Sequence, residues 1–119
     1  IVFNLDKHYE SGSHWVSMYI DLDKNHVYYF DSYGEEPQKE IQVLVDRIIN
    51  QGKKNNIEIK YSNNNIRHQY ENSECGVYSI HFITKMLEGN TFENVINNKI
   101  NDNKMNQFRD IFFTPSKYL

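Results

Sequence analysis

The chain has 119 residues, a formal net charge of −3, 39% apolar, 14% aromatic and 24% charged residues. That is one domain's worth of polypeptide, long enough to bury a core, and its mild acidity argues against a broad phosphate-binding surface of clustered Lys and Arg. A single cysteine excludes an internal disulfide and any zinc site built on several thiolates, so the thiol is either buried filler or a reacting group.

No apolar run approaches the roughly 18 residues that span a bilayer, and no signal-peptide pattern is visible. The chain opens on Ile1-Val2-Phe3 and reads as a segment of something longer or a processed product. Ile1–Leu5 is short and apolar, a strand. Ser11-Gly12-Ser13 signals a turn. His14 to Leu22 then alternates: His14, Val16, Met18, Ile20 and Leu22 share one face, Trp15, Ser17, Tyr19 and Asp21 the other. Asp23–His26 reads as a hairpin loop and Val27–Phe30 as the return strand, ending at Asp31-Ser32. Gly34 and Pro37 mark a loop.

Ile41, Leu44, Val45, Ile48 and Ile49 have the spacing of an amphipathic helix, with Gly52 as its stop. Ile57–Tyr61 reads as a short strand and Ser62–Glu71 as a polar loop. Ser73 opens a helix running to about Leu87 and stopping at Gly89; its apolar residues cover more than one side, which places it in the middle of the domain. Phe92, Val95, Ile96 and Ile100 suggest a third helix. Asp102 can cap a fourth carrying Met105, Phe108, Ile111 and Phe112, ended by Thr114-Pro115.

The placement of the one cysteine is the informative fact. With Ser73 as N-cap, Cys75 is the second helical residue, near the unpaired N–H groups and the positive end of the helix dipole. That environment favours the thiolate. Gly76 beside it leaves room for a substrate backbone, and the Cys75 N–H can help hold an oxyanion. A thiolate nucleophile needs an imidazole and a group to orient it. Of His8, His14, His26, His68 and His81, His14 is best placed, at the start of a core strand beside Trp15, which can shield the site from water. Asp31 ends the next strand of the same hairpin. The simple register leaves the two about four residues out of step, so a bulge or strong twist is needed to join them. Gln69, six residues before Cys75, can donate to an oxyanion.

Each residue has a plainer reading. A cysteine near a helix start is usually inert packing, a histidine on an apolar strand a satisfied core group, and Trp15 core. His81 reads as structural, and His8, His26 and His68 as solvated loop residues, with His68 close enough to Gln69 to touch substrate. One thiolate and scattered histidines lack metal-ligand spacing, and Lys53-Lys54 is too short for a nucleic-acid patch.

The order His14-Trp15, Asp31-Ser32, Gln69, then Glu74-Cys75-Gly76-Val77-Tyr78 resembles the SUMO-protease (ubiquitin-like protease) and adenain-like clan of cysteine peptidases. The spacing of the Asp seventeen residues after the His, and of the Gln six before the Cys, matches that family. The resemblance covers His14 to about Leu87. It implies an α+β cysteine-protease-like fold, in which a central helix carrying the Cys at its N-terminus packs on a small, mostly antiparallel sheet carrying His and Asp. It also implies one catalytic domain over residues 1–119, with Cys75 as nucleophile, His14 as general base, Asp31 as orienting carboxylate and Gln69 as oxyanion donor. Trp15 and Gly76 would line a narrow channel for glycine-containing sequences.

The compact form, and the abundance of Asn, Ile, Lys and Tyr with their AT-rich codons, look more like proteases of large DNA viruses. The implied substrate is then a viral polyprotein or structural protein, in the host cytoplasm or the virion. The alternatives are removal of a ubiquitin-like modifier, a catalytically silent binding module of the same fold, and acyl transfer to a side-chain acceptor. No cofactor, metal, nucleic acid or membrane is expected.

Overall fold

The computed structural model describes residues 1–5, 14–69 and 75–112. In chain order the elements are β1 (Val2–Asn4), β2 (Trp15–Asp21), β3 (His26–Phe30), α1 (Lys39–Lys54), β4 (Lys60–Asn63), α2 (Cys75–Leu87), α3 (Phe92–Asn97) and α4 (Asp102–Phe112). The strands form one sheet in the order β1-β2-β3-β4. The first two pairings are antiparallel and the third is parallel, so the fold is α+β with a small, mostly antiparallel sheet, as expected. The turn at Ser11–Ser13, the cap at Ser73, the stop at Thr114-Pro115 and His8 lie outside the described residues.

The hairpin that carries His14 and Asp31 departs from its expected register. Its loop is Leu22–Asn25 and not Asp23–His26, because Asp21 pairs with His26. Chemistry at the turn explains the shift. The Asp21 carboxylate accepts the N–H groups of Asp23 and Lys24, each at 3.0 Å, and Asn25 takes φ 52°, a conformation that Asn tolerates better than most residues. Moving the loop by one residue moves the register by two. Extending the ladder from the Ser17–Phe30 pair places Asp31 opposite Val16, two residues from His14, on the same face. The ladder from Ser17 to Asp21 is continuous, so no bulge is required.

Helix α1 also runs past its expected stop. Gly52 is a buried helical residue at which a Cβ would lie 2.7 Å from Ile59 Cδ1 and 2.9 Å from the Ile57 carbonyl oxygen. Glycine there serves close packing. The helix ends instead on Asn55 and Asn56 (φ 59°). Asn56 N–H donates to Lys53 O (3.1 Å) and Ile57 N–H to Gly52 O (2.8 Å), the paired bonds of a left-handed C-terminal cap. With Ile57–Ile59 packed back on α1, β4 begins later than expected, at Lys60. At the other end of the chain α3 stops at Asn97, and Ile100 packs from the connection. The cap of α4 is Asn101, whose Oδ1 accepts the Lys104 N–H at 2.8 Å, and not Asp102.

The sheet separates two apolar layers. Val16, Met18, Val27 and Tyr29 meet Ile41 and Val45 of α1 on one face. Tyr28 and Phe30 meet Val77, Tyr78, Phe82 and Met86 of α2, with Phe92 and Met105, on the other. The alternation along β3 is thus the period-2 pattern of a strand buried on both sides. Phe30 stacks on Phe82 with ring centroids 4.9 Å apart. This contact fixes α2 across the strand that ends at Asp31. His26, expected in solvent, opens β3, where its Nε2 meets Ser62 Oγ at 2.8 Å and its ring stacks on Tyr28 at 4.1 Å.

Candidate active site

Three elements converge where β2 begins, β3 ends and α2 begins. His14 stands one residue before β2 and its carbonyl accepts the Leu5 N–H at 2.7 Å. Asp31 follows β3 and is buried, as is Cys75, the first described residue of α2. His14 Nε2 lies 2.9 Å from Asp31 Oδ1. The same carboxylate oxygen accepts the Tyr33 N–H at 2.8 Å. With Nε2 committed to Asp31, the ring turns its other nitrogen inward. Nδ1 is buried, and ring and sulfur are close enough that each alters the other's titration.

Those alterations have opposite signs. Burial alone would push the Cys75 thiol up. The His14 ring, its charge, and the N–H groups of Trp15 and Gly76 outweigh burial and bring it below its ordinary value. Burial would likewise lower His14, but hydrogen bonding and charge from Asp31 and Cys75 raise it to about 9. Both shifts favour a thiolate facing an imidazolium over the neutral pair. The Trp15 N–H donates to Cys75 Sγ at 3.3 Å, a backbone role that sequence reasoning missed by considering only the indole.

Trp15 is 36% exposed, and its indole lies against Gly76. A Cβ added at Gly76 would sit 3.8 Å from Trp15 Cδ1 and Cγ, ordinary contact. Packing within the chain therefore does not demand glycine at position 76. Tyr33 completes the surround, its ring centroid 4.8 Å from that of His14 and the Arg67 guanidinium 4.9 Å above it.

Gln69 is fully buried and joins the cluster through Ser32, the neighbour of Asp31. Ser32 Oγ donates to Gln69 Oε1 at 2.6 Å. The N–H groups of His68 and Gln69 both donate to Ser32 O, at 2.7 and 2.8 Å. Asn64, also fully buried, holds the Asp31 backbone on both sides: its Oδ1 accepts the Asp31 N–H at 2.9 Å and its Nδ2 donates to Asp31 O at 2.6 Å. The run Asn63-Asn64-Asn65 reads as plain loop from sequence, and a side chain that bonds backbone so far along the chain leaves no local signal. His68 is a further correction. It is buried, with Nε2 2.9 Å from Ile96 O and its ring edge-on to Phe30 and Tyr78, so it supports the loop from below. The described residues contain no group of His, Cys, Asp and Glu able to hold a metal ion, and no helix among them is long and apolar enough to cross a membrane.

Residues 1–118 match the family model described as the Ulp1 protease family, C-terminal catalytic domain. The mimivirus protein R355 of Acanthamoeba polyphaga mimivirus, which carries a thiol-protease name, is 38% identical over 98% of this chain and 40% of its own length. A protein of African swine fever virus named SUMO-1 cysteine protease S273R is 32% identical over 94% of the chain and 42% of its own length. The crystal structure of the S273R protease of that virus superposes with a TM-score of 0.85 at 30% identity, covering 97% of this chain and 43% of that one. The SUMO protease Ulp1, solved with its catalytic cysteine oxidised, shares the fold at a TM-score of 0.54 and 20% identity, covering 81% of this chain and 47% of that one. The chain spans about two fifths of the length of the curated relatives it matches.

Proposed function

The chain belongs to the Ulp1 protease family, and from that premise we propose that it is the catalytic domain of a viral cysteine peptidase that cleaves protein substrates at glycine-containing sites. Cys75 is the nucleophile, His14 the general base and acid, Asp31 the carboxylate that orients the imidazole, and Gln69 the oxyanion donor. The observation that carries this reading is the line Asp31–His14–Cys75, with a 2.9 Å carboxylate–imidazole bond and a thiol brought below its ordinary pKa beside the ring.

The thiolate attacks the scissile carbonyl carbon, forming the S–C bond and placing the negative charge on oxygen. Gln69 and the Cys75 N–H stabilise that charge. Collapse breaks the C–N bond, and the imidazolium of His14 gives its proton to the departing amine. Water then adds to the thioester, His14 takes its proton, and the thiolate leaves as the carboxylic acid product forms. The room beside Trp15 and over Gly76 suits a substrate backbone without bulk at the cut, which supports glycine there. The setting that fits is the host cytoplasm or the virion, with a viral polyprotein or structural protein as substrate.

The name carried by the African swine fever virus relative favours one second reading, removal of a ubiquitin-like modifier. The test presents full-length protein with a glycine-centred peptide library and with a conjugate of a ubiquitin-like modifier. Cleavage of the peptides, abolished in Cys75→Ala, is expected. Cleavage of the conjugate alone selects the modifier reading. Full activity in Cys75→Ala rejects both.

A further inference from the structure

We infer that Ser32 is a positioning residue that sets the Gln69 amide for oxyanion stabilisation, so that one dipeptide, Asp31-Ser32, orients both the base and the oxyanion donor. The inference rests on the reading of Gln69 as that donor. A glutamine amide is useful there only with its NH₂ toward the reacting carbonyl, and a buried amide can adopt either of two orientations related by a flip. The structure holds one of them, with Ser32 Oγ 2.6 Å from Gln69 Oε1. The hydroxyl donates to the amide oxygen, which leaves the NH₂ at the opposite corner of the group. Both residues are essentially excluded from solvent, at 1% and 0% exposure, so no water takes over the hydrogen bond if the hydroxyl is removed.

The main chain shares in the device. Ser32 O accepts from both His68 and Gln69 N–H groups, and Arg67 Nε donates to Gln69 O at 2.6 Å. The backbone of residue 69 is thus fixed independently of the hydroxyl, which leaves the hydroxyl one task, the orientation of the amide. Asp31 and Ser32 are consecutive residues just past β3, so any movement of the strand end displaces the His14 partner and the Gln69 partner together.

The test is a double-mutant cycle in the full-length protein, read on a glycine peptide that the wild type cleaves. Ser32→Ala is expected to lower kcat by about tenfold to a hundredfold, the scale of a misplaced catalytic group, with KM nearly unchanged. The combined Ser32→Ala/Gln69→Ala variant is expected to be no slower than Gln69→Ala alone, because the hydroxyl acts only through the amide. Alkylation of Cys75 by iodoacetamide needs no oxyanion donor and is expected to keep its wild-type rate in Ser32→Ala. If alanine at 32 costs the fold, the isosteric pair Ser32→Thr and Ser32→Val puts the same question, and only Thr keeps kcat. A normal kcat in Ser32→Ala beside a crippled Gln69→Ala overturns the role of Ser32 alone, as does a double variant slowed by the product of the two single effects. A normal kcat in Gln69→Ala overturns the oxyanion reading, and the role of Ser32 falls with it.

Discussion

At the scale of single residues, the site depends on one proton being on the right atom. Cys75 lies below its ordinary value because His14 and two backbone N–H groups outweigh its burial, and His14 is raised to about 9 because Asp31 and the sulfur outweigh its own. The thiolate–imidazolium pair therefore exists in a window bounded below by the lowered thiol and above by about pH 9. Alkylation of Cys75 by iodoacetamide, which follows the thiolate alone, is expected to fall on the acid side only. Cleavage is expected to fall on both sides, since above about 9 His14 has lost the proton that the leaving amine requires. Replacing the sulfur tests the coupling directly. In Cys75→Ala the hydrogen bond and charge that help raise His14 are gone, so its ring is expected to titrate below about 9 when followed by proton NMR. An unchanged His14 titration would mean that the ring and the sulfur do not interact.

At the scale of elements, the strand ends that carry His14 and Asp31 owe their positions to side chains that read as filler in the sequence. The hairpin, the amphipathic face of α1 and the cysteine at the head of a buried helix were all legible, because period and position carry those signals. The register of the hairpin was not. It depends on a carboxylate, Asp21, capturing two turn N–H groups, and a one-residue choice of loop decides whether His14 and Asp31 are two or four residues apart. Asn64 was equally hidden, since its partners lie 33 residues away. Gly52 shows the same limit from the opposite direction: next to the end of a periodic helix, glycine reads as a stop, and only the tertiary contact shows that it is a packing site. Alanine at 52 would gain roughly 1 kcal/mol of helix propensity. Its Cβ would also press on the Ile57 carbonyl, which is backbone and yields little, and overpacking of this kind costs about 1–3 kcal/mol. Gly52→Ala is therefore expected to lower stability in urea unfolding by up to about 2 kcal/mol on balance, with catalysis in the folded fraction unchanged because α1 packs on the face of the sheet opposite α2. Alanine at 64 acts on the site itself. It leaves the buried N–H and C=O of Asp31 without their partner, a loss of about 2–3 kcal/mol, and is expected to lower kcat as well as stability.

At the scale of the whole molecule, the sheet is a partition with α2 and its buried thiol on one side and α1 on the other. The match to the Ulp1 family fits that plan, since the TM-score of 0.85 to the S273R protease holds across 97% of the chain. The sequence motifs could place His14, Asp31 and Cys75 in order along the chain, but the packing of α2, α3 and α4 depends on contacts between distant helices, and His81 shows what that packing costs. Its ring rests on Phe108 of α4 with centroids 5.2 Å apart, and its Nε2 is buried without a hydrogen bond among the described residues. Burial, then the charges of Lys85, His68 and Lys104, against Glu88, lower it to about 4. The unfolded chain thus binds a proton at 81 that the folded chain refuses. The stability this group contributes is full above about pH 6.5 and is lost as pH falls through about 4. His81→Phe keeps a ring of similar size against Phe108 and removes the titration. Its melting temperature relative to the wild type is expected to rise as pH is lowered from 7 to 4.5. A constant difference across that range would mean that His81 protonates as readily in the folded helix layer as in the open chain, and that acid sensitivity of the fold has its origin elsewhere.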